Sequence, residues 1–233
     1  MKRNKSLFLT AMMICGAVLP AATQSKNQGA FHGTLSTGYN RGFGIRAAVS
    51  NQHLSPELKF GLRLGVGWTM LNPGNALDAR RIFINNNTNG TPDKSGHSWD
   101  IRLDFMRPRP VFGINHSYFV FGPRFSSFAG DFIYIGGNED FEVKSRQWGA
   151  GAGFEHHFQL TPKLDLAVEY GVDLYAPSRL YGHDTSYSPW GDHVNPNNDN
   201  ENDDREFRYW DADKAIRQPQ IMPHILVGLE FKL

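Results

Sequence analysis

A serine close to a histidine is the usual start of an acyl-transfer site, because the imidazole can take the hydroxyl proton as the nucleophile attacks. Two stretches offer this pairing: His183 with Ser186 and Ser188 in HDTSYS, and His116 with Ser117 in NHSY. Such neighbours arise often by chance in polar loops, so only an assembled nucleophile, base and orienter would define an enzyme. Zinc-type ligands also occur, with Glu155 next to His156 and His157, and with His183 and His193 bracketing Asp184 and Asp192. No spacing here forms a recognisable site, and consecutive residues of a strand, such as His156 and His157, point to opposite faces. Segment 195–213, NPNNDNENDDREFRYWDAD, offers oxygen ligands for Ca²⁺ but lacks the glycine-centred EF-hand spacing, and reads as a hydrated loop. Phe207, Tyr209 and Trp210 within it are candidate contact residues, either folding over a neighbouring surface or anchoring a partner. The expectation is no catalytic residue, no metal and no cofactor.

The elements that would carry these residues are strands. Residues 53–66, HLSPELKFGLRLGV, are echoed by residues 159–172, QLTPKLDLAVEYGV: a turn of Leu, a hydroxyl residue and Pro, then strict alternation. In the first copy Leu58, Phe60, Leu62, Leu64, Val66, Trp68 and Met70 share one face, and Lys59, Gly61, Arg63, Gly65, Gly67 and Thr69 the other. A period of two over about a dozen residues exceeds the common strand length of ~5–6 and suits a tilted bilayer crossing of ~9–11. The same alternation places strands near 29–39, 42–51, 57–70, 97–107, 116–127, 143–158, 163–175 and 219–233, an even number as bacterial barrels require. Connections at 52–56, 108–115 and 159–162 fall at one end. Those at 71–96, 128–142 and 176–218 fall at the other, with a tight first hairpin at Asn40 and Arg41.

Glycines decide which face is inside. Gly61, Gly65, Gly67, Gly149, Gly151, Gly153, Gly171 and Gly228 all lie on the polar face, where a solvated strand would carry larger residues. A crowded lumen explains them better than a water-facing exterior around a ligand cavity. That lumen is expected to hold Arg46, Lys59, Arg63, Arg102, Arg124 and Lys232 against Asp100, Asp104, Glu155, Asp165, Glu169, Asp173 and Glu230, as a salt-bridged plug. Trp68, Trp99 and Tyr175 near one end, and Phe31, Phe158 and Phe231 near the other, suit interfacial girdles.

Lys2, Arg3 and Lys5, then an apolar run from Leu7 to Leu19, then Pro20, Ala21, Ala22 and Thr23, follow the order of a secretory leader, so residues 1–23 are expected to be a signal peptide and 24–233 one barrel domain. Cys15, the single cysteine, falls within the leader, and acylation there is an alternative that Ile14 disfavours. A negative mean hydropathy does not argue against membrane residence, since a barrel alternates lipid-facing and lumenal residues. A net charge of +1 gives no reason to expect a nucleic-acid partner.

With the leader, the Leu-Ser-Pro and Leu-Thr-Pro turns at 54–56 and 160–162, the alternation, and a terminal strand ending Gly228, Phe231, Leu233, the chain resembles the small eight-stranded outer-membrane barrels. It is similar to the membrane domain of outer-membrane protein A and to the outer membrane protein beta-barrel domain group. The resemblance implies an all-β, closed, antiparallel eight-stranded transmembrane β-barrel with short periplasmic turns and long extracellular loops. It also implies insertion by the barrel-assembly machinery, contact with outer-membrane lipid and lipopolysaccharide, and interaction with a surface ligand or envelope partner through the loops. The lipid A deacylases of this size share the strand number, but their compact His, any residue, Ser, Asn pattern is absent, so a lipid-modifying hydrolase is the alternative. A narrow solute channel is a third reading.

Overall fold

The computed structural model describes residues 30–52, 54, 60–84, 93–133, 140–191 and 207–233. The expected leader and Lys59 lie outside them. Eight long strands form the wall: β1 (Phe31–Asn40), β2 (Phe43–Asn51), β3 (Gly61–Leu71), β4 (Asp93–Pro108), β5 (Ser117–Ile133), β6 (Asp140–Thr161), β7 (Leu164–Tyr175) and, last in the chain, β10 (Ile221–Lys232). Each pairs antiparallel with its neighbours in the order β5-β4-β3-β2-β1-β10-β7-β6, and β5 pairs with β6 to close the ring. The first and last strands meet with His32 opposite Lys232 and Asn40 opposite His224, so among the described residues no edge of the eight-stranded ring is left unpaired. Closure satisfies the backbone without water, which a bilayer crossing requires.

The outside is apolar. Leu35, Tyr39, Ile45, Val49, Leu64, Val66, Ile101, Leu103, Phe121, Ile225, Val227 and Leu229 are all exposed, while the alternate residues are buried inside the ring. An exposed apolar band on this scale is a lipid-facing surface. Phe31, Phe158 and Phe231 lie exposed at the end where β1 begins and β10 finishes, the turn end, and Trp99 faces outward toward the opposite, loop end opposite Trp68. Tyr175 corrects its assignment to the girdle. Sharing the parity of Glu169 and Asp173, it is buried inside. Ile101→Arg, a charge on this belt, is expected to cost about 2–4 kcal/mol of barrel stability, read as a lower unfolding midpoint in bilayers.

At the loop end, the described parts of segments 71–96 and 176–218 hold regular elements where the sequence suggests loops. α1 (Ala76–Phe83) is N-capped by Asn75, whose side chain accepts from Leu77 N and Asp78 N. β8 (Leu180–Gly182) and β9 (Thr185–Tyr187) form a hairpin added to β6, and α2 (Tyr209–Ala215) follows. The strands β5 and β6 run on past the expected 127 and 143 to meet at Ile133 and Asp140. Their inward residues Phe128, Phe132, Phe141 and Val143 continue the alternation, but into an apolar cluster instead of the charged lumen.

A charged lumen beneath an apolar cap

Four buried arginines organise the lumen. Arg63, from β3, donates through Nε to Asp104 Oδ2 at 2.9 Å, bonds Glu155 through Nη1, and places the same Nη1 3.2 Å from Glu169 Oε2. Arg102, from β4, places Nη2 2.6 Å from Asp173 Oδ2 and reaches Glu169 and Asp100 at 3.3 Å. Arg124, from β5, links Asp104 at 2.6 Å to Asp173 at 2.8 Å. Arg46, from β2, lies 2.6 Å from Glu169. Strand parity turns these groups inward, register brings them within reach of one another, and glycine supplies the room. A Cβ on Gly67 would collide with the Asp100 carboxylate, and one on Gly151 would collide with Asp173 and stand 2.7 Å from Arg124 Nη2. Buried charges survive only when paired in this way.

Toward the turn end, His157 bridges two carboxylates, with Nε2 2.7 Å from Glu155 Oε1 and Nδ1 3.1 Å from Glu230 Oε1. Glu230 also receives His32 Nδ1 at 2.9 Å and Gln52 Nε2 at 2.9 Å. Glu155, His157 and Glu230 are close enough to be considered for a metal ion. The two ring nitrogens, however, face different carboxylates instead of converging with them, which suits an imidazolium bridge. His224, on β10 like Glu230, lies 3.2 Å from Glu169 of the neighbouring β7. These histidines escape a count of full charges, and their strand parity is the signal that finds them. Two expected members stand apart: Asp165 is half-buried, and Lys232 is exposed, since it ends β10 where the strand clears the ring.

The serines and histidines do not assemble as the sequence spacing suggests. His183 occupies the tight turn between β8 and β9, and Ser188 Oγ accepts from Trp190 N at 3.4 Å. His116 lies at the turn end, and Ser117 instead meets His156, its cross-strand partner, at 2.7 Å on the lipid-facing side. A single donor chain satisfies every group there. With the Ser117 O–H spent on the Ile114 carbonyl (2.8 Å), the tautomer that satisfies the remaining groups has His156 Nδ1–H donating to Ser117 Oγ and the Tyr170 hydroxyl donating to Nε2 (3.2 Å). The serine proton is thus directed away from the imidazole, which is the arrangement of a braced turn and not of an activated nucleophile.

Over the loop end, Phe83, Phe128, Phe132, Phe141, Val143, Leu180, Tyr187, Ala212, Ile216 and Met222 form one buried cluster. Phe83 meets Tyr187 edge-on at 5.5 Å, and Phe132 stacks on Phe141 at 5.0 Å. Backbone bonds from Asn75 N to Ala215 O and from Arg217 N to Pro73 O, both 2.8 Å, tie the two loops together. Of the candidate contact residues, Phe207 and Tyr209 pack on this cap, while Trp210 stays exposed with the Arg208 guanidinium 5.0 Å from its ring. Phe207 and Tyr209 thus fold over the barrel mouth, the first of their two expected readings, and residues 207–213 form an ordered cap in place of the expected hydrated loop, because these aromatics have an apolar cluster to join; residues 195–206 lie outside the described residues. Tyr209 accepts from Gln218 Nε2 at 2.8 Å, and burial, then the Asp213 charge, raise its hydroxyl above the usual tyrosine range.

A closed ring with a lipid-facing apolar belt and a polar, ion-paired interior defines an integral outer-membrane β-barrel. In line with that, the fold is similar to that of a major outer membrane protein from Thermus thermophilus, with a TM-score of 0.68 at 21% identity, covering 87% of this chain and 98% of that one. Neisserial surface protein A is a more distant likeness, with a TM-score of 0.40 at 11% identity over 87% of this chain and 94% of that one. No family model and no curated protein sequence matches the chain.

Proposed function

We propose that the protein is a non-enzymatic outer-membrane anchor: a plugged barrel, exported behind a leader at 1–23, that holds a folded cap at the cell surface for contact with envelope lipid or a partner. The observation that carries this reading is double closure. The lumen is filled by the Arg63, Arg102 and Arg124 ion pairs, and the loop end is covered by the apolar cluster around Phe83 and Phe132. An eight-stranded ring leaves an interior that side chains just fill, whereas diffusion porins need about 16 strands. The donor chain through Ser117 and His156 favours this reading over a hydrolase.

Planar-bilayer recording of the purified barrel tests it, with no steady conductance expected; a stable pore of porin size would replace the anchor with a channel. Lipid A mass spectra of cells with and without the protein should be the same. A deacylated product that disappears with Ser117→Ala would make it an enzyme.

A further inference from the structure

The seam between β1 and β10 carries two features, one above the other, that together suit an amphiphile. At its loop end is a cleft of about 360 Å³ lined by Arg41, Asp213, Ile216, Arg217, Gln218, Gln220 and Ile221. Arg41 sits in the tight β1–β2 turn with φ 56, a conformation costly for a residue other than glycine, and its Nη1 donates to Gln218 O at 3.2 Å. Among the described residues neither Arg41 nor the exposed Arg217 has a carboxylate ion pair. Asp213, the acid of the cleft, is occupied by Gln218 Nε2 at 2.6 Å and Gln220 Nε2 at 3.1 Å. The cleft is thus bordered by two guanidiniums and one carboxylate, a net positive charge that favours an anion within it.

Lower on the same seam, the outer wall is indented by an apolar groove of about 550 Å³ lined by Leu35, Thr37, Phe43, Ile45, Val227 and Leu229. Exposed Tyr39, Ile221 and Ile225 flank the path between groove and cleft. Thr37 makes the indentation without leaving a polar group to lipid, since its hydroxyl donates to Gly44 O at 2.9 Å. From Leu35 to Arg41 the strand covers about 20 Å, or about 14 Å along the membrane normal at the ~45° tilt of barrel strands, comparable to half of a ~30 Å hydrocarbon core.

We propose that this seam is a binding site for an anionic phospholipid-type amphiphile of the leaflet at the loop end, one whose phosphate headgroup carries no compensating cation, with the phosphate between Arg41 and Arg217 and an acyl chain in the Thr37 groove. The proposal rests on the barrel's membrane residence and deepens the envelope-contact part of the reading above. Arginine recognises phosphate through paired donors, and each basic residue near an anionic lipid surface contributes roughly fivefold in affinity, on the order of twentyfold for the pair.

The full chain, folded in detergent, is titrated separately with phosphatidylglycerol, phosphatidylcholine and inorganic phosphate, and native mass spectrometry counts what is retained. One phosphatidylglycerol per barrel is expected, preferred over phosphatidylcholine by at least about tenfold. Arg41→Gln with Arg217→Gln should abolish the preference. Thr37→Trp should weaken both lipids while leaving the headgroup preference. Arg217→Gln alone, at an exposed position, should give an intermediate loss and keeps the test intact if the double variant misfolds. A wild type without preference, a double variant that retains it, or inorganic phosphate bound as tightly as the lipid would each overturn the proposal. The boiling-dependent gel shift of the same samples reports the barrel separately, so failure of the lipid site is distinguishable from failure of the membrane reading.

Discussion

Arg63→Met is expected to destabilise the folded barrel by about 3–5 kcal/mol, the cost of leaving buried carboxylates without their counter-ion. Arg63 touches Asp104, Glu155 and Glu169, three acids from three other strands, and is 2% exposed. Asp104 retains Arg124 and Glu169 retains Arg46 and Arg102, but Glu155 keeps only His157 among the ion pairs formed by described residues. Urea unfolding of the protein in lipid vesicles, followed by tryptophan fluorescence, measures the change. Arg81→Met on α1 is the control, since its half-exposed contact with Asp78 at 3.7 Å should contribute under about 1 kcal/mol. Equal effects of the two substitutions would remove the lumen network from the account of stability.

Phe132→Ala should cost about 3–5 kcal/mol, but within the cap and not in the membrane. Phe132 is fully buried, stacks on Phe141, and lies beyond the charged lumen on the extended β5–β6 ribbon. Because the eight-stranded ring closes below it, the cap can loosen as a local unit while the barrel persists. Trypsin added to intact cells should then cut the 176–218 connection, at Arg179, Arg208, Lys214 or Arg217, much faster than in the wild type, with the gel shift retained. Loss of the shift at the same time would mean that cap and barrel unfold together.

Much of the wall was legible from periodicity. Alternation in 57–70 and 219–233 locates β3 and β10 and their lipid faces, because one buried and one lipid-facing side leave only one workable register. The same parity, applied consistently, puts Tyr175 with Asp173 inside the ring and would have moved it out of the girdle. Lys232 shows the limit of parity near a strand end, where the ring no longer covers the inner face. The cap was legible only through Phe207, Tyr209 and Trp210, whose aromatics suggest a segment folded over the barrel mouth. Phe83, Phe132, Tyr187 and Ile216 belong to four separate segments whose meeting depends on long-range pairing, and although Phe132 continues the alternation of β5, no period announces that the four converge. The Ser117–His156 contact is likewise a product of register, 39 residues apart in sequence and directly opposite in the β5–β6 pair.

The plugged lumen, the cap and the lipid seam all depend on the apolar face meeting lipid and the charged face being the interior. Electrophoresis of the detergent-extracted outer-membrane fraction, boiled and unboiled, tests this most directly. A detergent-resistant band that migrates differently from the boiled chain is expected in the unboiled sample. A protein that fractionates as soluble and shows no shift would contradict it, and would put the charged face outside.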